Sequence, residues 1–293
     1  MLAGGRKHKL TTKIAMSIKV TFFQVGYCTH PEAIVIRDGR WKNIRFPSLC
    51  ALISHPSIGY ILFDTGYSNR FFQETRHFPF RLYALTTPVY LQPEDSAVYQ
   101  LEKYGIEAAA IQNIIISHFH ADHIGGLRDF PNAHFLCFQS AYKAVRHRRG
   151  FEALMAGFLV NLLPPDFEGR TTFAETKQLV SLPPGYAPFD TGFDIFGDGS
   201  IIAVELPGHA TGQLGLFLTD ADNQTFFLIA DACWLSRAYQ NFLTPHPIAK
   251  LIFSNQQEYV TTLQKIHQLH KLNPEIKIIP THCPDAWDML KHR

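Results

Sequence analysis

Three histidines and one aspartate lie within a stretch of six residues, directly after an apolar run that ends at residue 116. They are His118, His120, Asp122 and His123. Imidazole nitrogens and carboxylate oxygens are ligands for zinc and similar first-row metals. The apolar run predicts a buried strand, so these side chains would sit on a loop that a rigid sheet holds open to substrate. The spacing therefore predicts a metal site.

Further ligand-type side chains follow other apolar, strand-like runs of the chain. His209 follows residues 201–206, Asp231 follows residues 226–230, and His282 follows residues 276–280. A short loop cannot point enough ligands at one metal, so more distant segments must contribute. We expect the ends of these strands to bring all seven side chains to one rim of the molecule.

The order His-x-His-x-Asp-His, followed by His, Asp and His, resembles the metallo-β-lactamase superfamily of binuclear metallohydrolases. The resemblance runs over residues 18–287 and includes Leu62-Phe63-Asp64-Thr65-Gly66, which is similar to an early strand–turn signature of that family. It implies an α/β (α+β) fold, the four-layer αββα sandwich with metals at one edge. It also implies a metal-dependent hydrolase.

The same resemblance implies a role for each ligand. One metal would be held by His118, His120 and His209, the other by Asp122, His123 and His282, with Asp231 bridging the two. The implied cofactors are two divalent ions, and the histidine-rich set favours zinc, while iron, manganese and cobalt also fit. Asp64 has two open interpretations: a turn carboxylate that caps backbone amides, or a residue that orients a ligand histidine.

The chemistry expected of such a set is hydrolysis by a hydroxide that bridges two metals. Metal binding lowers the pKa of water from near 16 to about 7, which gives a nucleophile for a carbonyl carbon or a phosphorus. Asp122 would then act both as a ligand and as the acceptor of the nucleophile's proton.

Within the superfamily, the chain is most similar to the N-acyl homoserine lactonases. The resemblance rests on the approximate length, the bridging aspartate and the segments at residues 62–66 and 207–212. Trp234 departs from it, because those lactonases usually have a tyrosine three residues after the bridging aspartate. We expect Trp234 to line the pocket and to donate its N–H to the substrate carbonyl. The expected substrate is a small ester, a lactone with an apolar tail; a glyoxalase-II-like thioesterase and a phosphodiesterase remain alternatives.

Composition narrows the class of partner. A formal net charge of +2 over 293 residues favours neither nucleic acid nor a membrane surface. The basic run at residues 146–149 is interpreted as a solvated helix face. Five scattered cysteines suit free thiols in a reducing compartment, so a cytoplasmic location is predicted. Residues 1–16 are expected to form a flexible extension before a single hydrolase domain at residues 17–293.

Local patterns predict short strands interleaved with helices. Strands are expected at residues 18–25, 33–36, 49–54 and 60–63, and as a hairpin at residues 213–219 and 225–230. Helices are expected at residues 96–104 and 256–272. Residues 128–199 are predicted to be a helical insertion. Its apolar helix at residues 151–163 could pack on the sandwich, form a homodimer contact, or cover the metals; residues 71–92 are a second candidate lid.

Overall fold

The apolar runs of the sequence form two β-sheets. The structure is a computed structural model that describes residues 17–291, and the extension predicted at residues 1–16 lies outside the described residues. The first sheet has the strand order β4-β1-β2-β3-β5-β6-β7. Its strands are β1 (Lys19–Pro31), β2 (Asn43–His55), β3 (Gly59–Phe63), β4 (Val89–Tyr90), β5 (Ile111–Ile115), β6 (His134–Cys137) and β7 (Thr171–Phe173).

The first sheet changes character along its width. Strands β1, β2, β3 and β4 pair antiparallel, and a tight turn at residues 56–58 joins β2 to β3. From β3 onward the pairing with β5, β6 and β7 is parallel. The carboxyl ends of β3 and β5 therefore point to the same edge of the sheet.

The second sheet is mostly antiparallel and has the order β13-β12-β11-β10-β9-β8. Its strands are β8 (Gln178–Ser181), β9 (Thr191–Asp194), β10 (Ile201–Glu205), β11 (Leu214–Thr219), β12 (Thr225–Ala230) and β13 (Lys277–Pro280). The exception is β13, which pairs parallel with β12. As a result, the carboxyl ends of β10, β12 and β13 share one edge.

The two sheets enclose one continuous hydrophobic core. Phe22 of β1 meets Phe226 of β12 with ring centroids 5.6 Å apart, and Phe217 stacks on Phe227 at 3.8 Å within the second sheet. At the edge where the strands end, the Leu214 amide donates to the carbonyl of Ser117 at 2.8 Å, which joins the two sheets. Burial of these aromatic and the more numerous aliphatic side chains contributes the main driving force for this packing.

Helices occupy the connections. They are α1 (Glu32–Val35), α2 (Asn69–Glu74), α3 (Arg81–Thr86), α4 (Ala97–Glu102), α5 (Ala121–Ile124), α6 (Gln139–Val145), α7 (Gly150–Met155), α8 (Ser236–Asn241), α9 (Gln256–Leu272) and α10 (Pro284–Leu290). Short 3₁₀ turns lie at Pro93–Asp95, Ala108–Ala110, Leu127–Asp129, Val160–Leu162, Glu168–Arg170, Ala174–Thr176, Pro184–Tyr186 and Pro247–Ile252. Among residues 17–291, none of the helices is both long and apolar enough to cross a membrane.

Several predicted elements are confirmed, and the strand predicted at residues 33–36 is wrong. The helix at residues 256–272 has the predicted bounds, with Asn255 as its N-cap, and the hairpin of β11 and β12 is present. Of residues 33–36, predicted to be a strand, residues 33–35 belong to α1 and Ile36 is the C-cap of that helix. Their β-branched side chains favour a strand, but the Ala33 and Ile36 amides donate to the carbonyls of Arg40 and Glu32 and close a turn.

The region predicted to be a helical insertion, residues 128–199, is mixed. It contributes β6 and β7 to the first sheet and β8 and β9 to the second, besides α6 and α7. No continuous helix covers residues 151–163: α7 ends at Met155, and Gly157 takes a left-handed φ of 59°. A Cβ at Gly157 would lie only 2.7 Å from Cδ2 of His120, so this position requires glycine.

Candidate metal centre

Five strand ends deliver the predicted site residues to one edge of the sandwich. Asp64 follows β3, and the His118–His123 motif follows β5 and runs into α5. On the other sheet, His209, Asp231 and His282 follow β10, β12 and β13. The Thr281 amide donates to the carbonyl of Ala230 at 3.1 Å, and this hydrogen bond joins the segments that carry Asp231 and His282.

The seven predicted ligands come together as two groups. In each group the candidate ligand atoms lie within 4.8 Å of one another. One group is His118, His120, His209 and Asp231; the other is Asp122, His123 and His282. Most of these side chains are buried, and His118 and His123 have no exposed surface.

Asp231 lies between the groups. Its Oδ2 is 3.3 Å from Nε2 of His209 and 3.2 Å from Nε2 of His282, while its Oδ1 is 3.4 Å from Nε2 of His123. Its carboxylate thus faces histidines of both groups. Ala230, just before it, has a φ of 47°. A non-glycine residue in the left-handed region is strained, and such strain is typical of backbone that a site holds in place.

Buried contacts fix the orientation of the imidazole rings. Nδ1 of His123 is 2.8 Å from Oδ2 of Asp64, and Ser117 Oγ donates to the same oxygen at 2.7 Å. Nδ1 of His282 donates to the carbonyl of Pro47 at 2.7 Å. In both rings the other nitrogen, Nε2, is therefore turned toward the site. Asp64 has a φ of 59°, a left-handed backbone conformation that is uncommon for a residue other than glycine.

Electrostatics shape the protonation of the site. Burial lowers the pKa of His209 to about 3 and that of His118 well below its usual range. Burial would also lower the pKa of His123, but the carboxylates of Asp64, Asp231 and Asp122 raise it to about 10. Burial would lower the pKa of His282 as well, but the carboxylates of Asp231 and Asp122 outweigh this effect and raise it.

The donor set fits divalent metal ions. Three buried polar atoms that face the site, among those of residues 17–291, have no hydrogen-bond partner: His118 Nε2, His123 Nε2 and Asp231 Oδ1. Buried polar atoms are normally satisfied, so such a cluster needs an explanation. A divalent cation would accept the nitrogen and oxygen lone pairs and replace the protons on the histidines.

A cavity of about 270 Å³ opens beside this centre, with His120 and His209 in its wall. The rest of its wall is mostly apolar, from α6, α7 and the segment after Pro247–Ile252. The wall includes Phe119, Met155 and Phe253. Ligand pockets of enzymes have this make-up: apolar walls with a few polar groups at one end.

Trp234 is close to the centre, but its one N–H already has an acceptor. Nε1 donates to Oδ2 of Asp231 at 3.0 Å, and the indole packs against His209 with centroids 5.5 Å apart. An N–H serves one strong acceptor at a time. Donation to a substrate carbonyl, the role predicted for Trp234, therefore requires that the indole leave Asp231, and that role stays a prediction.

Some residues of the site have no signal in the sequence. Ser117 contacts Asp64, His118 and His123, and the Pro47 carbonyl is a backbone group that every residue carries. Arg148, interpreted from the sequence as part of a solvated helix face, lines the cavity. Only the fold shows these contacts, because they join segments far apart in the chain.

Comparison with known proteins agrees with the geometry. The sequence profile of the Metallo-beta-lactamase superfamily matches residues 44–223, and the chain belongs to this superfamily. N-acyl homoserine lactonase AttM from Rhizobium radiobacter is 23% identical, over 88% of this chain and 90% of the relative. Metallo-hydrolase mfmC from Annulohypoxylon moriforme is 33% identical, over 67% of this chain and 50% of the relative.

A solved structure shows the same fold. A variant of AiiA from B. thuringiensis, with N-decanoyl-L-homoserine bound at its active site, has a TM-score of 0.66 at 18% identity. The alignment covers 94% of this chain and 97% of that chain. The predicted family, the fold class and the enzyme class of metal-dependent hydrolase are thereby confirmed.

Proposed function

We propose that this protein is a binuclear metal-dependent hydrolase that opens the ring of a lactone with an apolar tail. The observation that carries the proposal is two groups of ligand-type side chains, most of them buried, with Asp231 between them and a cavity beside them whose wall includes several apolar residues. Relatives named as N-acyl homoserine lactonases, which cover most of the chain, support the substrate class. Zinc is the proposed metal, because imidazole nitrogen dominates the donor set.

We assign the residues as follows. One ion would be held by His118, His120 and His209 and the other by Asp122, His123 and His282, with Asp231 bridging and Asp64 orienting His123. Two ions at these positions would supply a water of lowered pKa and positive charge for the ester carbonyl. Asp122 would take the proton of that water. Its Oδ2 lies 3.1 Å from Nε2 of His282, and charge on His123 and this hydrogen bond outweigh burial and hold its pKa at about 2.

The apolar residues in the cavity wall support a substrate with an apolar tail. A lactone ring placed at the metal centre would leave its acyl chain beside His120 and His209, along walls formed by Phe119, Met155 and Phe253. Burial of each methylene contributes about 0.8 kcal/mol. Longer acyl chains should therefore raise kcat/KM by up to about fourfold per methylene until the cavity is full. The proposed binding partner is a small-molecule substrate rather than nucleic acid or a membrane. The cytoplasmic location and a homodimer remain predictions.

The experiment is a substrate panel with metal-loaded protein. Acyl lactones of increasing chain length, a thioester and a bis-phenyl phosphate diester would be compared by kcat/KM. We expect the lactones to be hydrolysed best and the rate to rise with chain length. A flat chain-length series, or hydrolysis of the diester but of no lactone, would contradict the proposal and favour a phosphodiesterase.

A further inference from the structure

Arg148 is a charged side chain in a cavity wall that consists mainly of apolar residues. Arg148 follows α6, in the basic run Arg146-His147-Arg148-Arg149, and it lines the cavity with Ala144 and Val145. Among the lining side chains that the structure describes, it is the only lysine, arginine or carboxylate. Its neighbours Arg146 and Arg149 do not line the cavity. The structure thus separates one member of the basic run from the others.

The guanidinium of Arg148 is hydrogen-bonded through Nε, whereas its two terminal nitrogens are available to a ligand. Its Nε donates to the carbonyl of Ala144 at 2.8 Å, which fixes the plane of the fork. Within the part of the chain that the structure describes, Nη1 and Nη2 make neither a hydrogen bond nor an ion pair. Arg149, by contrast, uses its Nη1 on the carbonyls of Arg146 and Arg148. Two donor groups with fixed geometry therefore remain for a ligand in the cavity.

The cavity connects this cation with the proposed reaction centre. His120 and His209 form its wall at the metal site, and Met155, Leu251 and Phe253 supply apolar surface. A ligand that fills it would meet ligand histidines, apolar walls and one guanidinium. A guanidinium binds a carboxylate through two parallel hydrogen bonds, which adds geometric selectivity to charge.

We propose that Arg148 is a specificity-determining residue and that the preferred substrate carries a carboxylate on its acyl tail. The inference rests on the proposed function for the position of the ester, and it goes further in assigning the chemistry of the tail. Apolar methylenes would lie along the wall, and the terminal carboxylate would pair with Nη1 and Nη2 of Arg148. A plain alkyl tail would leave the exposed guanidinium to water.

The test uses two lactones whose tails are equal in length, one ending in a methyl group and one in a carboxylate. Wild-type protein should hydrolyse the carboxylate form with the higher kcat/KM. Arg148→Met should lower kcat/KM for that form about tenfold, the effect of one charge-assisted contact, and change the methyl form by less than about twofold. Arg148→Lys should fall between them, because an ammonium keeps the charge but not the fork.

Arg146→Met is the matched control, since it removes the same charge from the same run outside the cavity, and it should leave the preference unchanged. Equal losses on both substrates, no loss with Arg148→Met, or the same loss with Arg146→Met would overturn the inference. A binding measurement separates it from the proposed function. Calorimetry with the two tails as simple amides, which have no ester to hydrolyse, should show Arg148-dependent binding of the carboxylate form, even if no lactone is a substrate. Equal binding of both amides by the wild type would also overturn it.

Discussion

Asp122 is the site residue whose surroundings best distinguish a proton acceptor from a simple ligand. Its Oδ2 is 3.1 Å from Nε2 of His282 and 3.9 Å from Nε2 of His123. Its backbone carbonyl accepts a hydrogen bond from Ser48 Oγ at 2.8 Å, so the main chain is fixed independently of the carboxylate. The side chain remains 11% exposed, which leaves it access to a water in the site.

We predict that Asp122→Asn lowers kcat far more than metal content. Asparagine keeps an oxygen for coordination but cannot take a proton, and proton transfer by a positioned group contributes about 10²- to 10⁴-fold. Steady-state kinetics and elemental analysis of the same preparation would measure both. His120→Ala should instead lose metal and activity together. Near-normal turnover by a fully loaded Asp122→Asn protein would rule out the proton-acceptor role.

Residue types predicted the candidate ligands but not what surrounds them. The order of histidines and aspartates indicated seven side chains, and the fold brings all seven together. The contact between the Pro47 carbonyl and His282 joins residues 235 positions apart and involves a backbone group. Trp234 shows the same limit: its type predicted a free donor, whereas its position places the N–H on Asp231. Such contacts depend on packing and leave no pattern in the sequence.

At the scale of elements, strand ends could be predicted better than the segments that cover them. β12, for example, is an apolar run that follows the clear turn residues 220–223. The stretch at residues 151–163 is just as apolar, yet it forms the six-residue helix α7, a turn and a 3₁₀ segment. Gly157 decides this, because its carbonyl accepts from the Ala121 amide at 3.1 Å, next to His120. The helical pattern could not reveal a contact with a distant loop.

We predict that Gly157→Ala disrupts the metal centre, whereas Gly150→Ala does not. Both glycines are left-handed, with φ of 59° and 53°, so either alanine costs about 1–2 kcal/mol of backbone strain. At Gly157 the added Cβ would also lie 2.7 Å from the His120 ring, whereas nothing lies within 4 Å at Gly150. Denaturant unfolding should show the larger loss for Gly157→Ala.

Metal analysis completes that comparison. Gly157→Ala should hold less metal at the group that contains His120, and Gly150→Ala should keep the wild-type content. The same metal content in the two variants would mean that the α7 turn does not position His120.

At the scale of the whole molecule, the site is formed by residues from both sheets. The first sheet contributes residues 118–123 and the second contributes His209, Asp231 and His282, so any ion bound there links both halves of the sandwich. The unfolded chain cannot hold these groups together, since their sequence separation is large. Metal binding therefore stabilises the folded state selectively.

We predict two metal ions per chain and a large loss of stability when they are removed. Free metal at a thousandfold excess over Kd stabilises a folded protein by about 4 kcal/mol per site. At about 2–4 °C per kcal/mol for a large domain, chelation should lower Tm by roughly 10 °C or more. Elemental analysis and thermal unfolding, with and without chelator, would measure both.

His270→Ala, which changes a histidine of α9 outside the centre, should keep the full shift in Tm, and His120→Ala should lose much of it. A stoichiometry at or below one that added zinc, manganese or iron cannot raise would contradict the binuclear centre, because one ion leaves either Asp122, His123 and His282 or the other group without a cation.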